Sequence, residues 1–301
     1  MLERVHEKSD SRKAEMMSDH RRTVSFDSHT DSLDSAHTQI HDYKSFLNAV
    51  AKGDSTTVEY FIKQAYIDPS ASNNEALIIA AQSNKVDVSR ILLKDRRVNP
   101  SAQDNTPLKL AAMNGNIELV KLLLQDDRLR PTDSNSAIYS FPFSLYSPDA
   151  EGYFSPIRIA AERGHSEIVR MLLNDIRFNH DHDLSNALAA AAFQGQQEVV
   201  ETLVSSRRIL SDEDSSALTA AAMNGHEEIV RSLLRLPEID PSASQNQAIG
   251  AAIEYGHPTI VELLLQDSRV RNYFLFDQAI SWAKEQNDQT LLDLFIKYRN
   301  L

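Results

Sequence analysis

The chain of 301 residues contains only eight glycines, and six of them recur at a near-constant interval: Gly53, Gly115, Gly164, Gly195, Gly225 and Gly256. With Asn84 and Asn287 at the equivalent places, the eight markers stand 31, 31, 49, 31, 30, 31 and 31 residues apart. The long interval is one period plus 18 residues. A repeat of this length constrains the fold more than any other feature. One such unit cannot bury its apolar face alone, so the units must stack, each completing the core of its neighbour. Glycine and asparagine accept positive φ, so each marker is expected to be a tight turn.

Both flanks of every marker carry the pattern of a helix. Seven residues before it stand Phe46, Leu77, Leu108, Ile157, Leu188, Leu218, Ile249 and Ile280, and four before it stands alanine in all eight units, from Ala49 to Ala283. A small residue there lets a neighbouring helix approach closely. After the turn come apolar pairs such as Leu119-Val120 and Leu123-Leu124, which share one helical face. Thr106-Pro107 and Ser155-Pro156 place a capping residue before a proline, the signature of a helix start. Fourteen residues past the marker an apolar residue recurs (Ile67, Val98, Leu129, Phe178, Ile209, Ile239, Val270). Two further on, Pro69, Pro100, Pro131 and Pro241 oblige the chain to leave the helix.

The run Thr106-Pro107-Leu108-Lys109-Leu110-Ala111-Ala112, then Gly115, then Glu118-Leu119-Val120-Lys121-Leu122-Leu123-Leu124, resembles the ankyrin repeat. The Gly-His turns at Gly164-His165, Gly225-His226 and Gly256-His257 are similar to those of that family. The period is shorter than the family's usual 33 residues, and an Arg-Val-Asn-Pro-Ser-Ala type of connector replaces its Gly-Ala-Asp hairpin. Shorter loop tips are therefore expected. The fold predicted is an all-α, ankyrin-type helix-turn-helix solenoid of eight stacked units over residues 43–301. In the last unit Trp282, Phe295 and Tyr298 are expected to close the core beneath Lys284.

Residues 1–42 differ from the rest. They are rich in Ser, Asp and His, poor in large apolar side chains, and are expected to be a disordered tail. Arg22-Thr23-Val24-Ser25 resembles a basophilic kinase site, with Ser25 as the acceptor, although so short a match recurs by chance. A second departure is the insertion at about 132–154, where Tyr139, Phe141, Phe143, Tyr146, Tyr153 and Phe154 cluster. Flexible slack is built from Gly, Ser and charge, so this aromatic segment is expected to be a binding element. The competing reading is a local mini-core folded back on the second helices.

Composition excludes several classes of function. A net charge of −12 argues against nucleic acid as the partner. The absence of cysteine removes disulfides, thiolate zinc sites and thiol nucleophiles. No apolar run is long enough to span a membrane, and a cytoplasmic protein is expected. No phosphate loop, nucleophile elbow or paired-His helix is present, so neither catalysis nor a cofactor is expected. His180-Asp181-His182-Asp183 is the one metal-like cluster and is read as a polar connector instead. Arg97, Arg128, Arg177, Arg208 and Arg269 form a column, but Asp95, Asp126, Asp175 and Asp267 precede four of them by two residues. A self-neutralising ladder of ion pairs is the reading preferred over a polyanion stripe. The Gly-His histidines are expected to bond locally.

What the resemblance implies is a monomeric module that binds a partner protein on the concave side of the stack. In the family the two residues before the glycine turn commonly face the partner. Carried over, these include Met113, Asn114, Arg163, Phe193, Met223 and Tyr255, to which the insertion adds Tyr139, Phe141, Phe143 and Tyr146. An adaptor or a pathogen effector whose tail carries the activity is the alternative.

Overall fold

The computed structural model describes residues 42–64, 67–131, 155–178, 180–206 and 215–300. The readings made for residues 1–41, Ser25 among them, and for the aromatic insertion lie outside these. Asp42, assigned above to the tail, is helical.

Among the described residues eight helix pairs follow one another. The first helices are α1 (42–52), α3 (Ala71–Gln82), α5 (Ala102–Met113), α7 (Pro156–Glu162), α9 (Asp181–Gln194), α11 (Ser216–Met223), α13 (Ala243–Glu254) and α16 (Phe276–Glu285). Their partners are α2 (Ser55–Lys63), α4 (Val86–Lys94), α6 (Ile117–Leu124), α8 (Ser166–Asn174), α10 (Gln197–Ser205), α12 (Glu227–Leu234), α14 (Pro258–Gln266) and α17 (Gln289–Arg299). A single turn, α15 (Ser268–Arg271), lies between the last two pairs. From α3 to α13 successive first helices pack side by side, and the second helices form a parallel layer behind them.

All eight markers adopt positive φ, from 55° at Asn84 to 82° at Gly53. The geometry of the turn also explains the invariant alanine. In every unit the residue after the marker donates its N–H to the carbonyl of that alanine, at 2.8–3.0 Å, from Asp54 to Ala49 through to Asp288 to Ala283. This is the Schellman closure of a helix, which satisfies one of its last carbonyls. The alanine side chains are all buried, as is the apolar residue seven before the marker in each unit. The connector residues Ile67, Val98, Leu129, Phe178, Ile239 and Val270 are buried too, so each of these loops is nailed to the core, while Ile209 lies outside the described residues.

The entry to the first helix is not the plain capped start expected from sequence. Ser72-Asn73-Asn74, Gln103-Asp104-Asn105 and Ser244-Gln245-Asn246 each form one left-handed turn, with φ between 49° and 66°, before the chain becomes right-handed. Left-handed backbone costs about 1–2 kcal/mol per residue, least for Asn and Asp. The compensation comes from the third residue, whose side chain bridges to the connector that leaves the same unit. Asn74 Oδ1 accepts from the Asn99 N–H at 2.7 Å, and Asn105 Nδ2 donates to the Arg130 carbonyl at 3.0 Å. Ser215, at the equivalent position, donates to the Asp240 carbonyl. Thr106 and Pro107 therefore begin the right-handed part of α5, where the Thr106 hydroxyl bonds back to the Gln103 carbonyl. Ser155 stands at the start of α7 ahead of Pro156, but its side chain makes no cap bond.

At the carboxyl end the expectation holds for two residues of three. Phe295 and Tyr298 are buried, whereas Trp282 is 40% exposed. The reason is that α13 and α16 do not pack as the earlier first helices do: the turn of α15 and the connector 272–275 hold them apart.

Candidate functional site

The residues that end the first helices share one level of the stack because each helix is closed by the same turn. Along that level the structure places Met113 and Asn114 in the third unit, Arg163 in the fourth, Phe193 in the fifth, Met223 in the sixth and Tyr255 in the seventh. Asn114, Arg163 and Tyr255 are exposed, while Met113, Phe193 and Met223 are half-buried. Met113 and Phe193 rest against the core. The stripe is thus neither wholly surface nor wholly interior: polar or aromatic tips alternate with apolar side chains that show one flank. Asn114 is additionally tied to the preceding unit, where its Nδ2 donates to the Ala81 and Gln82 carbonyls at 3.4 and 3.3 Å. Tyr139, Phe141, Phe143 and Tyr146 lie outside the described residues.

The histidines of the Gly-His turns bond across units rather than locally. His165 Nε2 meets the Met113 carbonyl at 3.2 Å, His226 Nε2 the Phe193 carbonyl at 3.0 Å, and His257 Nε2 the Met223 carbonyl at 3.0 Å. Gln196 Nε2 does the same toward Glu162 at 3.4 Å. Each ring lies against the marker glycine of the preceding unit: a Cβ added to Gly195 would stand 2.6 Å from His226 Cε1. The residue after the marker therefore has two modes. Long side chains reach back across the joint, Asp54 and Asp288 cap their own helices, and Asn116 does both, capping α6 and reaching Asn84 through Nδ2. These bonds hold the backbone carbonyls of three stripe residues in place.

The arginine column is a set of clamps. Arg128 donates through Nε and Nη2 to the two oxygens of Asp126, at 2.9 and 2.6 Å. Its remaining donors go to the preceding unit, to the Leu93 carbonyl at 2.8 Å and the Val98 carbonyl at 3.0 Å. Arg177 repeats this with Asp175, Leu124 and Leu129, and Arg269 with Asp267 and Ile239. Arg97 is bound to Asp95 in the same bidentate way. A guanidinium has five donors in a fixed fork, and here they go to one carboxylate and to carbonyls of the preceding unit, at the end of its second helix for Leu93 and Leu124 and in its connector for Val98, Leu129 and Ile239. The arginine hydrogen bonds hold Asp95, Asp126 and Asp267 below the usual carboxylate range; at Asp175 burial pushes upward, but Arg177 outweighs it. The ladder reading of the sequence is correct, and its bonds between units are an addition to it. Arg208 lies outside the described residues.

The His180 to Asp183 cluster is not a connector. His180 precedes α9, and Asp181, His182 and Asp183 form its first turn. The side chains of Asp181 and His182 lie outside those described. What sequence reasoning missed is an exposed apolar group at the far end of the stack, Tyr273 and Leu275 beside Trp282. Its one visible signal was Gly250, a glycine in mid-helix away from any turn.

Comparison with known proteins agrees with this architecture. The sequence model of the family described as "Ankyrin repeats (3 copies)" matches residues 46–135, 143–212 and 205–273. Among solved structures, the crystal structure of the human ASB11 ankyrin repeat domain superposes with a TM-score of 0.50 at 20% identity, covering 67% of this chain and 95% of that one. No curated protein matches the chain.

Proposed function

The chain belongs to the ankyrin-repeat family, and on that footing we propose that it is a non-catalytic module that binds a partner protein through the ends of its first helices. Met113, Asn114, Arg163, Phe193, Met223 and Tyr255 form the contact stripe, and Tyr139, Phe141, Phe143 and Tyr146 of the insertion supply a second contact. Ankyrin repeats are in general protein-protein interaction modules. The observation that carries the reading is the alternation along the stripe: half-buried Met113, Phe193 and Met223 next to exposed Asn114, Arg163 and Tyr255. Adaptable methionine and aromatic or Arg anchors on a rigid backbone are what interface hot spots are made of. The cross-unit histidine bonds supply the rigidity, and so reduce the ordering cost of binding.

The test uses the exposed members, which can be changed without disturbing the core. Proteins captured on the intact chain from its native cell are compared with those captured on a Tyr255→Ala, Arg163→Glu double variant. Loss of a captured protein at unchanged melting temperature supports the stripe. Undiminished capture refutes it.

A further inference from the structure

Between α13 and α16 lies an open groove of about 1140 Å³. Its floor is formed by Ile249, Gly250 and Ile253 of α13 with Phe274 and Phe295, and its rim by Tyr273, Leu275 and Trp282. The rim residues are 72%, 64% and 40% exposed. Three large apolar side chains around one concavity are the kind of exposed patch that marks an interaction site on a soluble protein.

Three observations define what fits there. First, the groove occupies the place of a helix. On its other flank α13 packs against α11, and each earlier first helix from α5 onward has such a neighbour on both sides. Second, Gly250 has no local justification. The equivalent residues of the other units are Leu47, Ile78, Lys109, Arg158, Ala189, Thr219 and Ser281. Glycine in a helix interior costs roughly 1 kcal/mol against alanine, and a Cβ at Gly250 would meet nothing within 4 Å. What its absence does is let a second backbone come close. Third, the lining carries two carboxylates, Asp240 and Glu254, and no lysine or arginine. Glu254 is exposed and makes no ion pair among the described residues.

We propose that this groove docks an amphipathic helix of a partner protein, its apolar face laid over Gly250 between Tyr273 and Trp282 and its flanks carrying Lys or Arg toward Asp240 and Glu254. This is the helix-in-groove mode, read by anchors at i, i+3 or i+4, and i+7. It meets the stripe at Tyr255, the residue after Glu254, but shares no lining residue with it and does not rest on it.

Trp282 is the only tryptophan of the chain and sits on the rim, so it reports occupancy directly. The probe is a synthetic peptide of about 16 residues, roughly four helical turns, with Leu and Phe on one face and Lys flanking them. Its controls are the same peptide with Glu replacing Lys, and a scramble of the same composition. Titrated into the full chain, the Lys peptide is expected to shift Trp282 emission to the blue with saturation, and the Glu peptide to bind at least about tenfold more weakly, a difference of some 1.4 kcal/mol. Gly250→Leu fills the floor and should abolish the shift while holding the melting temperature, because leucine is the better helix former. Leu275→Ser, at an exposed rim position, provides the same arm should Gly250→Leu prove unstable. Glu254→Lys should weaken the Lys peptide several-fold and reduce its salt dependence. Phe193→Ala should leave this binding intact, which separates failure of the groove from failure of the stripe. Equal binding of the three peptides, an unmoved Trp282, or a Gly250→Leu protein that binds normally overturns the proposal. Concentration-dependent self-association that Gly250→Leu abolishes would assign the groove to a second copy of the chain and overturn it as well.

Discussion

Replacing Gly195 by asparagine separates the two constraints acting at the markers. At φ +75° the backbone needs a residue that tolerates the left-handed region, and asparagine does, as Asn84 and Asn287 show at φ 55° and 56°. The second constraint is the neighbour. A Cβ at Gly195 would stand 2.6 Å from His226 Cε1 and 2.9 Å from its Nδ1, closer than real carbon contacts permit. The imidazole would have to leave, taking with it the 3.0 Å bond to the Phe193 carbonyl. The lost hydrogen bond is worth about 1 kcal/mol, and the overpacking adds about 1–3 kcal/mol. Gly195→Asn should therefore cost about 2–4 kcal/mol. Gly256 is the internal control: its φ is +74°, but nothing lies within 4 Å of its Cβ, because the next unit offers the short Asp288, which caps its own helix. Gly256→Asn should cost less than about 1 kcal/mol. The chain already contains the compensated arrangement, Asn84 facing Asn116, whose Nδ2 reaches Asn84 Oδ1 at 3.3 Å. Adding His226→Asn to Gly195→Asn rebuilds that pair and should recover at least about 1 kcal/mol, a coupling visible in a double-mutant cycle. Urea denaturation followed by circular dichroism measures the unsubstituted chain, Gly195→Asn, His226→Asn, their combination and Gly256→Asn. Equal costs at Gly195 and Gly256, or strictly additive single changes, would refute the argument.

The connectors and the acid limb give further expectations. Arg128→Lys keeps the charge but loses the fork that joins Asp126 to Leu93 and Val98, and should destabilise by about 2–3 kcal/mol in urea. Arg97→Lys, at a side chain 45% exposed, should cost under about 1 kcal/mol. Asp95, Asp126 and Asp267 have folded pKa values below those of the unfolded chain, so their contribution is fully present above the unfolded value near 4 and is lost as pH falls through the folded values. The melting temperature should accordingly drop below about pH 4, and Arg128→Gln should shallow that drop while lowering the neutral-pH value. Asn105→Ala should cost about 2–3 kcal/mol through left-handed strain and the lost bond to Arg130, whereas Asn105→Gly should recover the strain but not the bond; thermal melts distinguish the two.

Much of the fold was legible because its determinants are local and periodic. Gly115, Ala111 and Leu108 need only their own helix and turn to be understood, and the apolar connector residues fall on the same count. The features that sequence did not disclose are those whose reason lies one unit away. Asn74 and Asn105 look like ordinary loop residues after a Pro-Ser pair, and their left-handed backbone makes sense only with the connector 25 residues later in view. His226 looks like a turn residue until the Phe193 carbonyl is set beside it. Trp282 fits the expectation of a cap by hydrophobicity alone, and the error arises because α16 does not take the position that strict repetition would give it. The candidate stripe was placed by counting back from the marker. Half-burial of Met113, Phe193 and Met223 depends on how neighbouring helices shade them, which a count cannot supply.

The joints between units are not equivalent, and their differences locate the least constrained part of the stack. At the joint between the third and fourth units the glycine turn is locked by His165 and the connectors by Arg177, in addition to apolar packing of both helix layers. The joint between the sixth and seventh has the same three levels, through His257 and Arg269. At the last joint two of them are missing: Asp288 turns inward to cap α17, and the position matching the arginine column is Asn300. The first helices are also apart, so the eighth unit is held through its second helix, by Lys297 and Tyr298 on Glu262 and by the buried Phe295 and Leu291. A unit joined along one layer can rock about that layer at little cost, whereas units joined at three levels must break bonds to do so. Amide exchange in α16 should therefore outpace that in α11 although both are first helices of similar length. Among the described residues, the groove opens at a joint held along one layer only, whose width can adjust to what enters it.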